Sequence, residues 1–533
     1  MFDPRDSTRR AAGVLLHPTS LPGPWGCGDF GPAVEPFLDW AASAGFGIWQ
    51  ILPITPPAGG DSPYTSLSAF AINPLLISID RLIEDGLLDA DTCEPYKAVA
   101  GEACDMEAAA KAKAALLPLA YERFQEEPGD LEEEMKAFRE DPLQAPWLES
   151  WCLFAALRSA LGTGGWWTWE EGLARRRPET LAEAATSHRE AAAYQRFLQC
   201  VAFRHWRAVK EAAHARGLRI FGDLPIYVAY DSADVWTRPE LFRLDDALRP
   251  THVAGVPPDY FSEEGQLWGN PLYRWRAMEE AGFGWWIDRL KSNLHIADVV
   301  RIDHFRAFAD YWEVEADATD ARGGAWRLGP GKVFFDVLKE ELGEPLPLVA
   351  EDLGDLSDSV HTLRHDAGLA GMKVLQFGFD PIDVDHAPHR LTEDTVYYSG
   401  THDNDTSLGW FWAQSDEVRG RLRAYAGGQD ATIGRDLMRM VLTSVARWAM
   451  FPMQDLLYKG SEARMNTPGV ADGNWLWRLT DLPDDGTTGW LRHMAELTGR
   501  LSPSVLDETG AEETESDEVG SESTGSEPTD GAA

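Results

Sequence analysis

The 533-residue chain carries 87 acidic residues against 48 basic ones, a net charge of −39 with only ten lysines, and a surface this acidic repels nucleic acid and anionic membranes. Its 44% hydrophobic content and 22 Trp supply a large core, yet no apolar run reaches the roughly 18 residues of a membrane span, and the N-terminal MFDPRDSTRRAAGVLLHPTS lacks the long apolar stretch of a secretory signal. Five scattered cysteines (Cys27, Cys93, Cys104, Cys152, Cys200) with no C-x-x-C pair argue against a disulfide framework or a zinc site and for a reducing cytoplasm.

In chain order, GVLLHP (13–18) and GIWQILPI (47–54) predict the first two buried parallel strands. Residues 80–205 hold no such run. Ala/Glu/Leu-rich stretches such as DMEAAAKAKAALLPLAYERFQEE and LAEAATSHREAAAYQRFLQCVAFRHW predict a mainly helical subdomain inserted between strands two and three. The strand pattern resumes with RIFGDLPIYV (219–228), ADVVRIDHF (297–305) and PLVAEDL (347–353). It ends with MKVLQFGF (372–379), TVYYSGTHD (395–403) and WAMFPMQDLL (448–457), which complete eight strands alternating with helical segments. The expected architecture is α/β, a (β/α)8 TIM barrel over 1–505 interrupted by the 80–205 insertion. Residues 506–533 are acidic and rich in Ser, Thr and Gly, which predicts a disordered tail. The stretch 507–533 holds ten acids and no base, so −29 stays on the rest of the chain. Molar salt, with a Debye length of about 3 Å, would screen that repulsion, so the charge and the scarcity of lysine predict a halophilic protein.

Three strand-like runs end in an acid: VVRIDHF at Asp303, PLVAEDLG at Glu351 and YYSGTHDND at Asp403. The C-terminal ends of barrel strands are where such enzymes keep their chemistry. Two carboxylates are what retaining glycoside chemistry requires, one as nucleophile and one as acid/base, and the third would grip the sugar. Arg301 and Asp303 share a strand face, so the guanidinium is expected to lower the Asp303 pKa and keep it ionised as the nucleophile. An isolated R-x-D would read as a structural pair, but His304 and the two other strand-end acids point to a site. Glu351 follows the apolar PLPLVA, where a desolvated carboxyl holds its proton as a general acid. Asp352 points to the opposite side and reads as a cap of the following turn. His402 and Asp403 can bind a pair of vicinal hydroxyls. His17, His304, His402, Asp303 and Asp403 could also gather as metal ligands, but the chain has neither H-x-H nor H-E-x-x-H, so no metal is expected. Most of the tryptophans, Trp166–Trp167 and Trp285–Trp286 among them, read as packing residues.

Several of these stretches are long and unusual: GVLLHPTSLPGPWGCGDFG, DSPYTSLSAFAINPLLIS, GDLPIYV, GVPPDYFSEEGQLWGNPLY, RIDHFRAF, VAEDLG, GTHDNDT and ARMNTPG. Up to about residue 500 the chain resembles the 4-alpha-glucanotransferases (amylomaltases, or disproportionating enzymes), relatives of the alpha-amylases. The resemblance implies Asp303 as nucleophile, Glu351 as acid/base, and Asp403 as the group that holds sugar hydroxyls and strains the ring. It implies that Arg301, His304 and His402 support the same sugar, that Tyr64 stacks on it, and that Asp223 completes a polar floor. Gln266 and Trp268 would lie in a loop over the donor and acceptor sites, and Asn466 would reach a neighbouring subsite. It further implies no cofactor, no C-terminal all-β domain, an α-1,4-glucan donor, and a maltooligosaccharide or glucose acceptor. An α-glucan hydrolase using the same residues is the alternative. A non-catalytic glucan-binding protein is a second one, against which the three intact carboxylates argue.

Overall fold

The computed structural model describes residues 8–502 apart from 99–100, 163, 259–262, 355, 380–383 and 471; the expected 506–533 tail lies outside the described residues. Twelve strands are present among them: β1 (Ala11–Leu15), β2 (Ile48–Gln50), β3 (Arg219–Leu224), β4 (His252–Val256), β5 (Gln266–Pro271), β6 (Val299–Ile302), β7 (Asp310–Glu315), β8 (Ala325–Leu328), β9 (Leu348–Ala350), β10 (Gly371–Val374), β11 (Thr395–Tyr398) and β12 (Trp448–Pro452). Eight of them pair in parallel in the order β10-β11-β12-β1-β2-β3-β6-β9. A parallel bridge between Val349 and Ala370, with the Ala350 N–H donating to the Ala370 carbonyl at 2.9 Å, brings the two ends together. This is the expected (β/α)8 barrel, and its eight strands are the eight apolar runs, each shorter than the run that announced it.

Period-two alternation divides every strand between two cores. Ile48, Phe221, Val299, Val349, Met372, Val396 and Trp448 pack together inside the barrel. Val14, Ile220, Val300, Ala350, Tyr397 and Phe451 face the helices. The interior is tight at Gly13, where a Cβ would come within 2.6 Å of Ile48 Cβ and 2.7 Å of Met450 Sδ. Glycine at that position is what lets Ile48 fill the barrel.

Among the described residues, eight α-helices connect β2 to β3, and β12 is followed by no further strand. The last helix of that connection, Arg189–Ala215, buries Leu198, Ala202, Trp206, Val209 and Ala213, a helical three-to-four spacing. It runs ten residues past the expected end of the helical stretch and turns into β3 at Arg219. Its Trp206 lies 5.0 Å from Phe30 and 6.2 Å from Trp49, and donates its indole N–H to the Ile296 carbonyl at 2.9 Å. One continuous rod therefore joins the helical connection to the barrel wall. No helix among the described residues is long and apolar enough to cross a membrane.

A four-stranded antiparallel sheet, β5-β4-β7-β8, was not legible in the sequence. Its strands are half-exposed, β4 is irregular between Val253 and Gly255, and β5 contains Gly, Asn and Pro, all poor strand formers. Gln266 and Trp268, expected in a loop, stand on β5 at the edge of this sheet. The backbone pairing with β4 gives them fixed positions that a loop would not.

Arg500 closes the far end of the barrel. Fully buried, it donates from Nε to the Leu442 carbonyl (2.9 Å), from Nη1 to Ala11 (3.1 Å) and Arg447 (2.9 Å), and from Nη2 to Ser444 (3.1 Å) and Ala446 (2.7 Å). These carbonyls belong to the start of β1 and to the chain just before β12, so one guanidinium holds the terminal segment against the barrel. Arg500→Met leaves five carbonyls without that donor and is expected to lower stability by about 3–5 kcal/mol. Differential scanning calorimetry checks this; an unchanged melting temperature would show that these bonds are dispensable.

Candidate active site

The site is built outward from Arg301. It faces into the barrel on β6, opposite Asp223 on β3 in the strand register. Its Nη1 donates to both Asp223 oxygens (2.8 and 2.7 Å) and its Nη2 to Asp303 Oδ1 (2.8 Å). The Tyr64 hydroxyl donates to Asp223 Oδ2 at 2.7 Å. A continuous hydrogen-bonded line thus runs from Tyr64 through Asp223 and Arg301 to Asp303.

Glu351 stands one residue past β9, and its carboxylate is held by backbone. Oε2 accepts the His304 N–H at 2.7 Å and Oε1 accepts the Leu353 N–H at 3.1 Å. His304 adopts φ 52°, ψ 50°, a left-handed conformation unusual outside glycine. That conformation costs about 1–2 kcal/mol, and here it accompanies an N–H aimed at the acid/base candidate.

The charge states differ from the sequence expectation at Asp303. Burial pushes its carboxyl up to about 8 although Arg301 opposes the shift. Burial outweighs the pull of Arg301, and Asp223, Glu351 and Asp403 add negative charge around Asp303. Burial also raises Glu351, against Arg301 and the two backbone donors. Two buried carboxyls that repel each other's charge lose their protons in separate steps, and between those steps the pair carries one proton. Burial holds His17 and His304 down to about 3 and lowers His402, so these imidazoles are neutral hydrogen-bonding groups near pH 7.

Asp403 lies beyond β11 in a turn rather than at the strand end itself. Asn466 Nδ2 donates to Asp403 Oδ1 at 2.6 Å, and His402 Nε2 lies 3.4 Å from Asp403 Oδ2. Arg464 donates to the Asp403 carbonyl and to the Asn466 carbonyl, each at 2.7 Å. Buried Asp455 anchors the turn, accepting from the Ser399 and Ser407 hydroxyls at 2.6 Å and from the Ser407 N–H at 2.7 Å. Asp352 does not cap the turn that follows it. Its Oδ1 accepts the Met372 N–H on β10 at 2.7 Å and its Oδ2 lies 3.2 Å from Arg364 Nε, which ties β9 to the next strand.

These groups surround a cavity of about 300 Å³ lined by Tyr64, Gln266, Trp268, Asp303, His402, Asp403 and Asn466. Asp223, Arg301, His304 and Glu351 connect to that lining through the bonds above and through Trp268, whose ring meets His304 edge-on at 4.8 Å. The Tyr64 ring stacks on His402 at 5.2 Å and 15°, and the Trp268 indole N–H donates to Gln266 Oε1 at 3.1 Å. Tyr227, Asn270 and Trp475 also line the cavity. Sequence reasoning missed them along with Arg464 and Asp455, because nothing distinguishes Trp475 from the other tryptophans until the fold brings it within 5.8 Å of Tyr64. Among the described residues no three His, Cys, Asp or Glu side chains group as metal ligands would.

A family model described as 4-alpha-glucanotransferase matches residues 16–483. The 4-alpha-glucanotransferase of Synechocystis is 44% identical over 498 residues, covering 92% of this chain and 98% of that one. The 4-alpha-glucanotransferase of Thermus thermophilus is 45% identical over 506 residues, covering 92% and 99%. Among solved structures, the amylomaltase of Streptococcus agalactiae in complex with acarbose matches with a TM-score of 0.89 at 36% identity, over 92% of this chain and 100% of that one. The amylomaltase of Corynebacterium glutamicum, at 18% identity over 93% of this chain and 76% of that one, shares the fold with a TM-score of 0.70. With a matched family model over most of its length and relatives well above 40% identical, the chain belongs to the 4-alpha-glucanotransferase family.

Proposed function

We propose that the protein transfers segments of α-1,4-glucan between chains by a retaining double displacement, with Asp303 as nucleophile, Glu351 as acid/base and Asp403 gripping the sugar. The observation that carries this reading is a sugar-sized cavity lined by Asp303, held by Arg301, and Asp403, with Glu351 accepting the N–H of His304, whose ring meets Trp268 of that lining. Asp303 Oδ1 is bound by Arg301 and its Oδ2 has no hydrogen bond among the described residues, which leaves that oxygen for attack on the anomeric carbon. As the C1–O bond breaks, the leaving oxygen takes the Glu351 proton and a glucosyl–Asp303 ester forms. The acceptor's 4-hydroxyl then returns its proton to Glu351 as its oxygen attacks the same carbon and releases Asp303. In that release Arg301 stabilises the departing carboxylate. The rings of Tyr64, Tyr227, Trp268 and Trp475 along the cavity favour a sugar acceptor over water, because a sugar ring buries its face on them.

Five free, buried cysteines support a reducing cytoplasm as the working compartment. The helices between β2 and β3 are, on this reading, a subdomain inserted into the barrel. The −39 charge supports a salt-rich setting and speaks against nucleic acid or anionic membranes as partners.

Incubation with maltotriose is expected to yield glucose together with maltopentaose and longer chains. Glucose and maltose alone would mean hydrolysis, and an unchanged substrate would mean binding without catalysis. Asp303→Asn should lower turnover by about 10⁴-fold or more while the fold persists. The pair's ionisation sets the pH dependence. Activity falls at low pH, where both carboxyls are protonated, and falls again at high pH as the pair loses its remaining proton, both limbs being set by carboxyls that burial raises. A kcat/KM profile flat across about pH 5 to 9 would contradict the shared proton. Salt gives the third test. The melting temperature should rise from low salt towards about 1 M KCl as repulsion is screened. Removing residues 506–533 should leave that rise intact, since −29 lies outside 507–533; a response abolished by the truncation would place the effect in the tail.

A further inference from the structure

A second cavity, of about 570 Å³, is larger than the one at the catalytic carboxylates. It lies among the helices Leu148–Leu161, Ala233–Thr237, Trp275–Glu280 and Gly284–Ile296. Phe70, Trp147, Trp151 and Trp285 supply its aromatic walls, with Phe70 stacked on Trp147 at 6.0 Å and 14° and edge-on to Trp285 at 6.2 Å. Trp285, read from the sequence as a packing residue, therefore has a second surface to serve.

The polar groups around these rings are of both signs, with Glu240 near enough to Arg176 and Arg238 to Asp288 to act on each other's charge. Arg176 lies over the Trp236 ring, 4.3 Å from its centroid, with Nη1 buried and unpartnered among the described residues. Arg238 and Glu240 stand exposed at the rim, Asp288 is half-buried, and Asp234 is buried. No salt bridge closes across the cavity among the described residues.

That lining selects among ligand classes. Three carboxylates disfavour an anion and two guanidinium groups disfavour a cation. No metal-ligand grouping is present among the described residues. A purely apolar occupant would strip water from Asp234 and Arg176 without replacing it. A neutral ring with hydroxyls all round satisfies every part, laying its face on indole while its hydroxyls donate to carboxylates and accept from guanidinium. We propose that this cavity is a second carbohydrate site, taking a short run of α-linked glucosyl units; the choice of glucose among sugars rests on the function proposed above. The site is wired to the active site. Asp234 Oδ2 accepts the Ala69 N–H at 2.8 Å and the Ala233 N–H donates to the Leu67 carbonyl at 2.8 Å, and that same loop carries Tyr64 into the catalytic cavity.

Hydrogen-exchange mass spectrometry on the Asp303→Asn protein with maltotriose tests the proposal. Protection is expected in two places, the turn 399–406 at the active site and the helices around 148–161 and 275–288 at the second cavity. Ser150→Trp and Ala277→Trp fill the cavity from opposite walls without touching the catalytic one. In the Asp303→Asn background each should weaken the second protection by about tenfold or more and leave the first unchanged. In the unsubstituted-Asp303 background, retained maltotriose turnover and melting temperature show that each variant is folded. Protection confined to the turn, protection of the helices that survives both substitutions, or no protection at saturating maltotriose would overturn the second site. Protection of the helices alone would keep it and overturn the active-site assignment instead.

Discussion

Arg301 bears most of the structural responsibility in this molecule, because it is a buried cation held between carboxylates on two strands. Taking a guanidinium out of water costs several kcal/mol, which only close, hydrogen-bonded partners can offset. Asp223 and Asp303 provide them, and the partner on β3 is its direct neighbour in the strand register. A slip of one residue between β3 and β6 would turn Asp223 outward and leave Arg301 opposite Gly222 or Leu224, neither of which can accept its hydrogen bonds. The same pair that assembles the site therefore specifies the register of the barrel wall beneath it, and the Tyr64 hydroxyl extends that constraint to the loop after β2.

A site of this kind needs groups that are uncomfortable as they stand. Burial raises both Asp303 and Glu351, and that is how a carboxyl keeps a proton at a pH where it would be ionised in water. The neutral His17, His304 and His402 add no charge that would draw that proton away. Asp303 and Glu351, the two carboxylates proposed to react, sit one residue beyond their strands, where the barrel fixes their position. Asp403 sits further out, on a turn tied by Asp455, Arg464 and Asn466. The displacement proposed for the first two demands fixed geometry, whereas the grip on hydroxyls proposed for Asp403 can be supported by a hydrogen-bonded turn.

The barrel was legible because its strands are buried on both faces and so appear as continuous apolar runs, and the acids were legible because they end those runs. The antiparallel sheet was not, since β5 reads as Gln-Leu-Trp-Gly-Asn-Pro and is made a strand by its pairing with β4 rather than by propensity. The same limit applied to function. Arg301 beside Asp303 is visible from alternation alone, but that most of its hydrogen bonding goes to Asp223, some 80 residues earlier in the chain, depends on strand order. The inverted expectation for the Asp303 pKa follows from burial first, with Asp223 among the charges that add to it, and neither can be read from the strand alone. Asn466, expected to reach a neighbouring subsite, lines the cavity and also holds Asp403 at 2.6 Å, a contact between two loops far apart in sequence.

The scarcity of lysine and the persistence of arginine have a common physical basis in this fold. Arg500 satisfies five carbonyls, Arg10 reaches those of Ser444, Val445 and Ala446, and Arg289 binds those of Pro225 and Ile226. A planar fork with five donors can hold several backbone acceptors at once, and a lysine ammonium cannot reproduce that geometry. These arginines tie together the ends of strands and so are retained by the architecture. A surface lysine, by contrast, contributes a solvated charge that the fold does not require, so a shift in surface charge can remove it at little structural cost. Lys113 is the instructive case, because it is buried against Asp29 at 2.8 Å; there the ammonium is part of the packing. The acidity of the chain is thus written where the barrel is indifferent to it, and the interior that positions Asp303, Glu351 and Asp403 is left to arginine.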